Sequence, residues 1–291
     1  MPSATEPGSL RQARSPAPSW PAEPYKGLNF FRASDAPLFS QREEEIEDCA
    51  ARIDDFATRV LLLHGLSGIG KSSFLRAGLI PRLQKPPDQG CCTFFFLRDR
   101  AGDPILIRAT DDPIARIHET LTEAARRDER IPQIVRAKVQ DALKAPLPAD
   151  RKLAADTLIA ALQPLTAGLR DIFVLLVDQA EEVLTLPRRS EDVFNRRVGF
   201  FNLLEELCHQ RMDMRAVVTF RTEYYGQFCS FFRIPSTLSV TVGGASSRGS
   251  HRLPAAPDRG SGAGRGLDPK ADTRGTGRRS VRPAPDLWLR V

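Results

Sequence analysis

The sequence predicts an α/β fold, a parallel sheet with helices on its flanks, on three observations. Apolar runs at residues 60–63, 172–177 and 217–220 are hydrophobic on both faces, as strands inside a parallel sheet are. Segments between them carry apolar residues at helical spacing. Residues 65–72, directly after the first run, read Gly-Leu-Ser-Gly-Ile-Gly-Lys-Ser, the G-x-x-x-x-G-K-S pattern that turns a strand into a helix around a phosphate.

A triphosphate held at a helix start needs backbone N–H groups unshielded by Cβ atoms, a flexible cation for the outer phosphate oxygens and a hydroxyl for Mg²⁺. Gly65, Gly68 and Gly70 meet the first need, Lys71 the second and Ser72 the third. The candidate contacts are therefore Gly65, Ser67, Gly68, Ile69, Gly70, Lys71, Ser72 and Ser73, in a P-loop NTPase fold. A plain glycine turn would need neither Lys71 nor Ser72. The following helix carries Phe74 and Leu75 toward the sheet, and Pro81 is expected to interrupt it.

Phe94 lies in a run, residues 93–97, that reads as a strand. Asp112 is placed to cap a helix with Pro113 at its first position and Ile114, Ile117, Leu121 and Ala124 on one face. A second helix fits residues 132–144, and a third carries Ala154, Leu158, Ala161, Leu162 and Leu165 on one side. Residues 191–209 give the strongest amphipathic pattern, with Phe194, Val198, Phe201, Leu204 and Cys208 in register; this stripe reads as core.

The strand at 172–178 ends in Asp178, where a carboxylate positions Mg²⁺ through its water shell, so Ser72 and Asp178 are the metal candidates. Gln179 orients a water but takes no proton from it. Glu181 and Glu182 are candidates for that catalytic work, although a helix dipole accounts for acidic residues there equally well. The strand at 217–220 delivers Arg221 to the same sheet edge, either as a γ-phosphate sensor or as a surface partner of Glu223. His64, just before the loop, reads as a packed strand-end residue, and His118 and His209 stand on helices without companions.

Four blocks carry a family resemblance. They are Pro-Tyr-Lys-Gly-Leu at 24–28 through Asp35 and Phe39 to Arg42-Glu43, the phosphate loop, Val-Asp-Gln-Ala-Glu-Glu at 177–182, and Phe-Arg-Thr-Glu-Tyr-Tyr-Gly at 220–226. On these the chain resembles the NTPase domain of the novel STAND family, signal-transduction ATPases with numerous domains, over residues 24–236. The resemblance implies that Lys71, Ser72 and Asp178 hold Mg-ATP, that Arg221 senses the γ-phosphate, and that the Phe39 to Glu43 block, with Arg42 as its candidate contact, lies near the base or ribose. It also implies a switch in which Mg-ATP holds one conformation and slow hydrolysis releases it, with self-association or effector proteins as partners. Where that family has Gly-Arg after the aromatic, this chain has Ser40-Gln41-Arg42, which bears on the turn and on the aim of Arg42.

The net charge of +6 is confined to the C-terminal segment: residues 241–291 hold ten Lys/Arg against four Asp, leaving the body neutral. That segment lacks Glu, Phe, Ile and Tyr and is filled with Arg, Gly and Pro, so residues 237–291 are expected to be a disordered tail, as is a Pro/Ser/Ala-rich leader at 1–23. Cys49, Cys91, Cys92, Cys208 and Cys229 show no C-x-x-C spacing, no apolar stretch approaches ~18 residues, and no signal-peptide core is present; a cytoplasmic, non-membrane protein is expected. The two strands ending in Asp178 and Arg221 are expected to neighbour the phosphate-loop strand. The family also implies a strand on the other side, and no segment reads as that strand; an open edge predicts poor solubility. Two other functions fit the sequence: a truncated or frame-shifted inactive product, and an ATPase linked to nucleic acid through the basic tail.

Overall fold

The computed structural model describes residues 29–85, 92–110, 112–185, 191–231 and 237–243. The expected leader, the 24–28 block, Cys91 and the segment beyond Gly243 lie outside the described residues, as does the side chain of Phe194.

Six parallel strands form one sheet: β1 Val60–Gly65, β2 Phe94–Phe96, β3 Ile107–Arg108, β4 Ile172–Asp178, β5 Met214–Arg221 and β6 Thr237–Thr241. The order is β2-β4-β5-β1-β6, with β3 continuing alongside the end of β4 where β2 has stopped. Residues of alternating parity face opposite sides, and each side has its own helical cover. Leu61, Leu63, Val174, Leu176 and Val217 pack on the face covered by α1 Glu43–Asp54 and by the helix after the phosphate loop. Val60, Leu62, Phe173, Leu175, Val177, Ala216 and Val218 pack on the other, beneath α4 Pro113–Arg127, α5 Gln133–Ala142, α6 Arg151–Gly168 and α8 Glu191–His209. Two short helices, α7 Glu182–Thr185 and α9 Tyr225–Phe231, follow the site strands β4 and β5.

Local chemistry explains the helix starts. The Asp112 carboxylate accepts from the Ala115 amide at 2.9 Å, and that of Asp150 from the amides of Lys152 and Leu153, each an N-terminal cap of its helix. Ile114, Ile117, Leu121 and Ala124 are buried as their spacing predicts, as are Ala154, Leu158, Ala161, Leu162 and Leu165. In α8 the buried stripe holds Phe201 and Leu204 together with Phe200, Leu203 and Leu207, so it is rotated by about one residue from the predicted one.

Three expectations are corrected. Pro81 does not end its helix: α2 Lys71–Ser73, a π-helical stretch Phe74–Leu79 and α3 Ile80–Leu83 run on as one helix. The wider π turn lies where proline's missing N–H and its ring would disrupt an α-helical turn. The Asp178 strand is not beside the phosphate-loop strand, because β5 lies between them, with Leu175 opposite Ala216 and Leu62 opposite Val218. The strand on the other side of β1 does exist: β6 pairs with it in parallel, Val60 opposite Thr237 and His64 opposite Thr241. It lies within residues assigned above to a tail, and it removes the open edge at β1 on which the solubility expectation stood.

Candidate functional site

The carboxyl ends of β1, β5 and β4 bring the chemistry-bearing residues to one edge of the sheet. At the phosphate loop Gly68 and Gly70 adopt φ of 77° and 86°, a left-handed backbone that side chains other than glycine adopt at a cost. Gly65 is needed for space: a Cβ there would stand 2.8 Å from the Val242 carbonyl oxygen and 2.9 Å from Ile69 Cγ2. Gly70 precedes α2, whose first turn leaves N–H groups without intrahelical acceptors. Lys71 Nζ donates to the carbonyls of Gly65 at 2.9 Å and Leu66 at 3.0 Å, folding back over the loop. Burial pulls its ammonium below the ordinary value, while the charges of Glu181 and Asp178 pull it up.

Ser72 Oγ donates to Asp178 Oδ2 at 2.7 Å, so the two candidate metal ligands converge. The other carboxylate oxygen accepts from the buried Thr219 hydroxyl and from the Gln179 amide at 3.0 Å. Gln179 has φ of 59°, and its amide also reaches Thr219 Oγ1 at 3.2 Å. This fits Mg²⁺ chemistry: one hydroxyl and one oriented carboxylate suffice for an ion that keeps several waters and takes its remaining oxygens from phosphates. Among the described residues no cluster of three or more His, Cys, Asp or Glu side chains forms a self-sufficient metal cage.

The two glutamates part company. Glu181 is 8% exposed, lies 3.4 Å from Arg221 Nε through Oε1, and has a buried Oε2 without a hydrogen-bond partner. Burial pushes its carboxyl above the ordinary range, against the lowering effects of its own backbone N–H and of the Lys71 and Arg221 charges. Glu182 turns to Arg108 on β3 at 3.1 Å, and Arg108 also donates to the Gln179 side-chain oxygen. The candidate partner of Arg221, Glu223, is thus replaced by Glu181.

Arg42 Nη2 donates to the Ile69 carbonyl at 2.9 Å, which puts the guanidinium against the phosphate loop, with Glu45 4.0 Å away. Its Nη1 is buried without a hydrogen-bond partner. The turn before it forms without glycine, since Gln41 itself takes φ of 68°. Ser73 Oγ faces elsewhere, accepting from the Phe31 amide at 3.1 Å. His64 is buried, with Nδ1 3.2 Å from Thr222 Oγ1, Nε2 3.3 Å from Thr241 Oγ1 and its ring 4.5 Å from that of Tyr225, so it ties β5 and β6 across β1.

The profile of the family described as Novel STAND NTPase 1 matches residues 24–246. The chain belongs to that family. Membership makes this STAND NTPase a nucleotide-binding protein and supports a signalling role for it. The family match runs past β6, in keeping with a strand at residues 237–241. No curated protein matches the chain. Among solved structures, a chain of the E. coli MS115-1 HORMA:CdnC:Trip13 complex is similar over 74% of this chain and 67% of that one, at 13% identity and a TM-score of 0.35. Among the described residues no helix of this STAND NTPase is long and apolar enough to cross a membrane.

Three site residues were missed from the sequence. Thr219 left one signal, a hydroxyl inside the apolar run 217–220. Arg108 left none, since a two-residue strand has no readable period. Gly243, whose Cβ would stand 2.3 Å from Ile69 Cγ1, sat in a composition that reads as tail.

Proposed function

We propose that this STAND NTPase is an ATP-binding signalling switch that holds Mg-ATP between the phosphate loop and the ends of β4 and β5, and hydrolyses it slowly. The observation that carries this is the Ser72–Asp178 contact at 2.7 Å beside Lys71, because a hydroxyl, a carboxylate and an ammonium on three chain positions meet where a helix begins. Gly65, Ser67, Gly68, Ile69 and Gly70 cradle the phosphates, and Lys71 leaves its carbonyl partners for their oxygens. Ser72 and Asp178 are the ligands for Mg²⁺, which supplies positive charge against the phosphate oxygens.

Glu181 is the carboxylate that orients water, because it is the one coupled to Lys71 and Arg221, whereas Glu182 is committed to Arg108. Arg221 reads the terminal phosphate from the end of β5. Arg42 supports the Ile69 carbonyl, so its role is with the loop. The output is a change in self-association or in choice of effector protein, since differential affinity for ATP and ADP can bias two conformations.

Calorimetric titration of ATP and ADP with Mg²⁺, for the wild-type chain and Lys71→Ala, tests the assignment. Binding is expected in the wild type and lost in the variant. Equal affinity in the two proteins would remove Lys71, and with it this site, from nucleotide binding.

A further inference from the structure

Glu181 and Arg221 sit at the ends of adjacent strands, and their pairing is lopsided. The Glu181 side chain is 10% exposed and that of Arg221 is 47% exposed. One partner is thus fixed in a desolvated position, while the other is an exposed cation on a long stem. The guanidinium makes one contact, of 3.4 Å through Nε, beside a backbone N–H of Arg221 that also acts on the carboxylate, and Glu181 Oε2 is buried without a hydrogen-bond partner. Nothing in that geometry uses the fork of the guanidinium, which matches a phosphate or carboxylate through two parallel bonds. The pair is therefore a weak one for Arg221, and a poor resting place for Glu181, whose second oxygen has no hydrogen-bond donor among the protein's groups.

Lys71 offers a parallel. Its ammonium is likewise parked, on the carbonyls of Gly65 and Leu66, and it is the other cation acting on Glu181. A triphosphate entering the loop brings negative charge within reach of both cations, and only Arg221 must leave a carboxylate to meet it.

We propose that Glu181 and Arg221 form an exchange latch: Arg221 holds Glu181 when the site lacks a γ-phosphate and transfers to that phosphate when ATP binds, freeing Glu181 for water. Recognition of the third phosphate and release of the water-orienting carboxylate are then one event. ADP, which has no γ-phosphate, leaves the latch closed. The inference rests on the Mg-ATP reading of the site. Arg221 acts on Glu181 as a positioning residue, and because the pair competes with the γ-phosphate for Arg221, removing the Glu181 charge raises ATP affinity but not ADP affinity.

A double-mutant cycle on nucleotide affinity tests this, with Glu181→Gln, Arg221→Gln and the double variant titrated with ATP and with ADP, and melting curves to confirm folding. Glu181→Gln is expected to bind ATP tighter by roughly fivefold, the scale of a partly exposed ion pair, with ADP affinity unchanged. In the Arg221→Gln background the same substitution is expected to give less than about a twofold gain. Arg221→Lys serves if the Gln variant fails to fold, and there the gain is expected to be smaller than in the wild type. An undiminished ATP gain in either Arg221 background, or an equal gain for ADP, would mean simple removal of charge and would overturn the latch alone. Absence of ATP binding by the wild-type chain would overturn the site reading and the latch together.

Discussion

Ser72 and Asp178, 106 residues apart in the chain, meet with Oγ and Oδ2 at 2.7 Å. The contact spans from the start of α2 to the end of β4, with β5 between β4 and the phosphate-loop strand, so it depends on β4, β5 and β1 standing side by side. Asp178→Asn preserves shape and most hydrogen bonding while removing the charge that Mg²⁺ needs. Its ATP affinity in Mg²⁺ is expected to fall at least roughly tenfold, the factor that about 1.4 kcal/mol carries, while affinity in EDTA changes little. Titrations with and without Mg²⁺ check this, and an equal loss in both conditions would assign Asp178 to structure instead of metal.

Thr219 is fully buried in β5, and its hydroxyl both donates to Asp178 and accepts from the Gln179 amide. Thr219→Val keeps the volume and removes both bonds. Loss of a buried hydrogen bond to a charged group is expected to cost about 1–3 kcal/mol in urea denaturation, with Thr219→Ser recovering most of it. The valine variant is also expected to bind Mg-ATP more weakly, since the carboxylate loses the donor that aims it.

What could be read from the sequence was whatever local chemistry writes into consecutive residues. The phosphate loop needs its glycines, lysine and serine side by side. β4 was legible to the residue because a strand buried on both faces is apolar throughout, and α4 was legible because Asp112 caps it and Pro113 opens it. β6 was not, because Thr-Leu-Ser-Val-Thr offers only two apolar residues and becomes a strand through its pairing with β1. Strand order was equally hidden: nothing local in Ile172–Asp178 says that β5 intervenes. The same limit made Glu223 look like the partner of Arg221, whereas Glu181 reaches it only because β4 and β5 are adjacent.

Gly243 couples the end of β6 to the phosphate loop. It has φ of 78°, and a Cβ there would stand 2.3 Å from Ile69 Cγ1 and 2.8 Å from Ile69 Cδ1. Gly243→Ala therefore combines backbone strain with pressure on a loop residue. A stability loss of about 1–3 kcal/mol and weaker ATP binding are expected together. Gly226→Ala is the control, because a Cβ at Gly226 meets nothing within 4 Å and α9 gains a better helix former. Melting curves and ATP titration of both variants check the contrast, and unaltered ATP affinity in folded Gly243→Ala would separate β6 from the site.

His64 gives the fold a pH dependence whose sign follows from its surroundings. Thr222 faces Nδ1, Thr241 faces Nε2, Phe220 and Tyr225 flank the ring, and Lys71 is the charged group acting on it. Burial first, and Lys71 second, hold the imidazole below its ordinary value of 6.5. The unfolded chain therefore takes up the proton at a higher pH than the folded one, so stability falls as pH drops below about 6.5 and keeps falling until the folded pKa is passed. His64→Gln has no such proton to gain. Urea denaturation at pH 7.5, 6.0 and 5.0 is expected to show a smaller loss on acidification in the variant than in the wild type. Parallel losses in the two proteins would mean that the acid sensitivity lies with other groups. Above about pH 7.5 the imidazole is largely neutral in both states, so the two pH profiles are expected to run nearly parallel there, offset by the lost contacts with Thr222, Thr241, Phe220 and Tyr225.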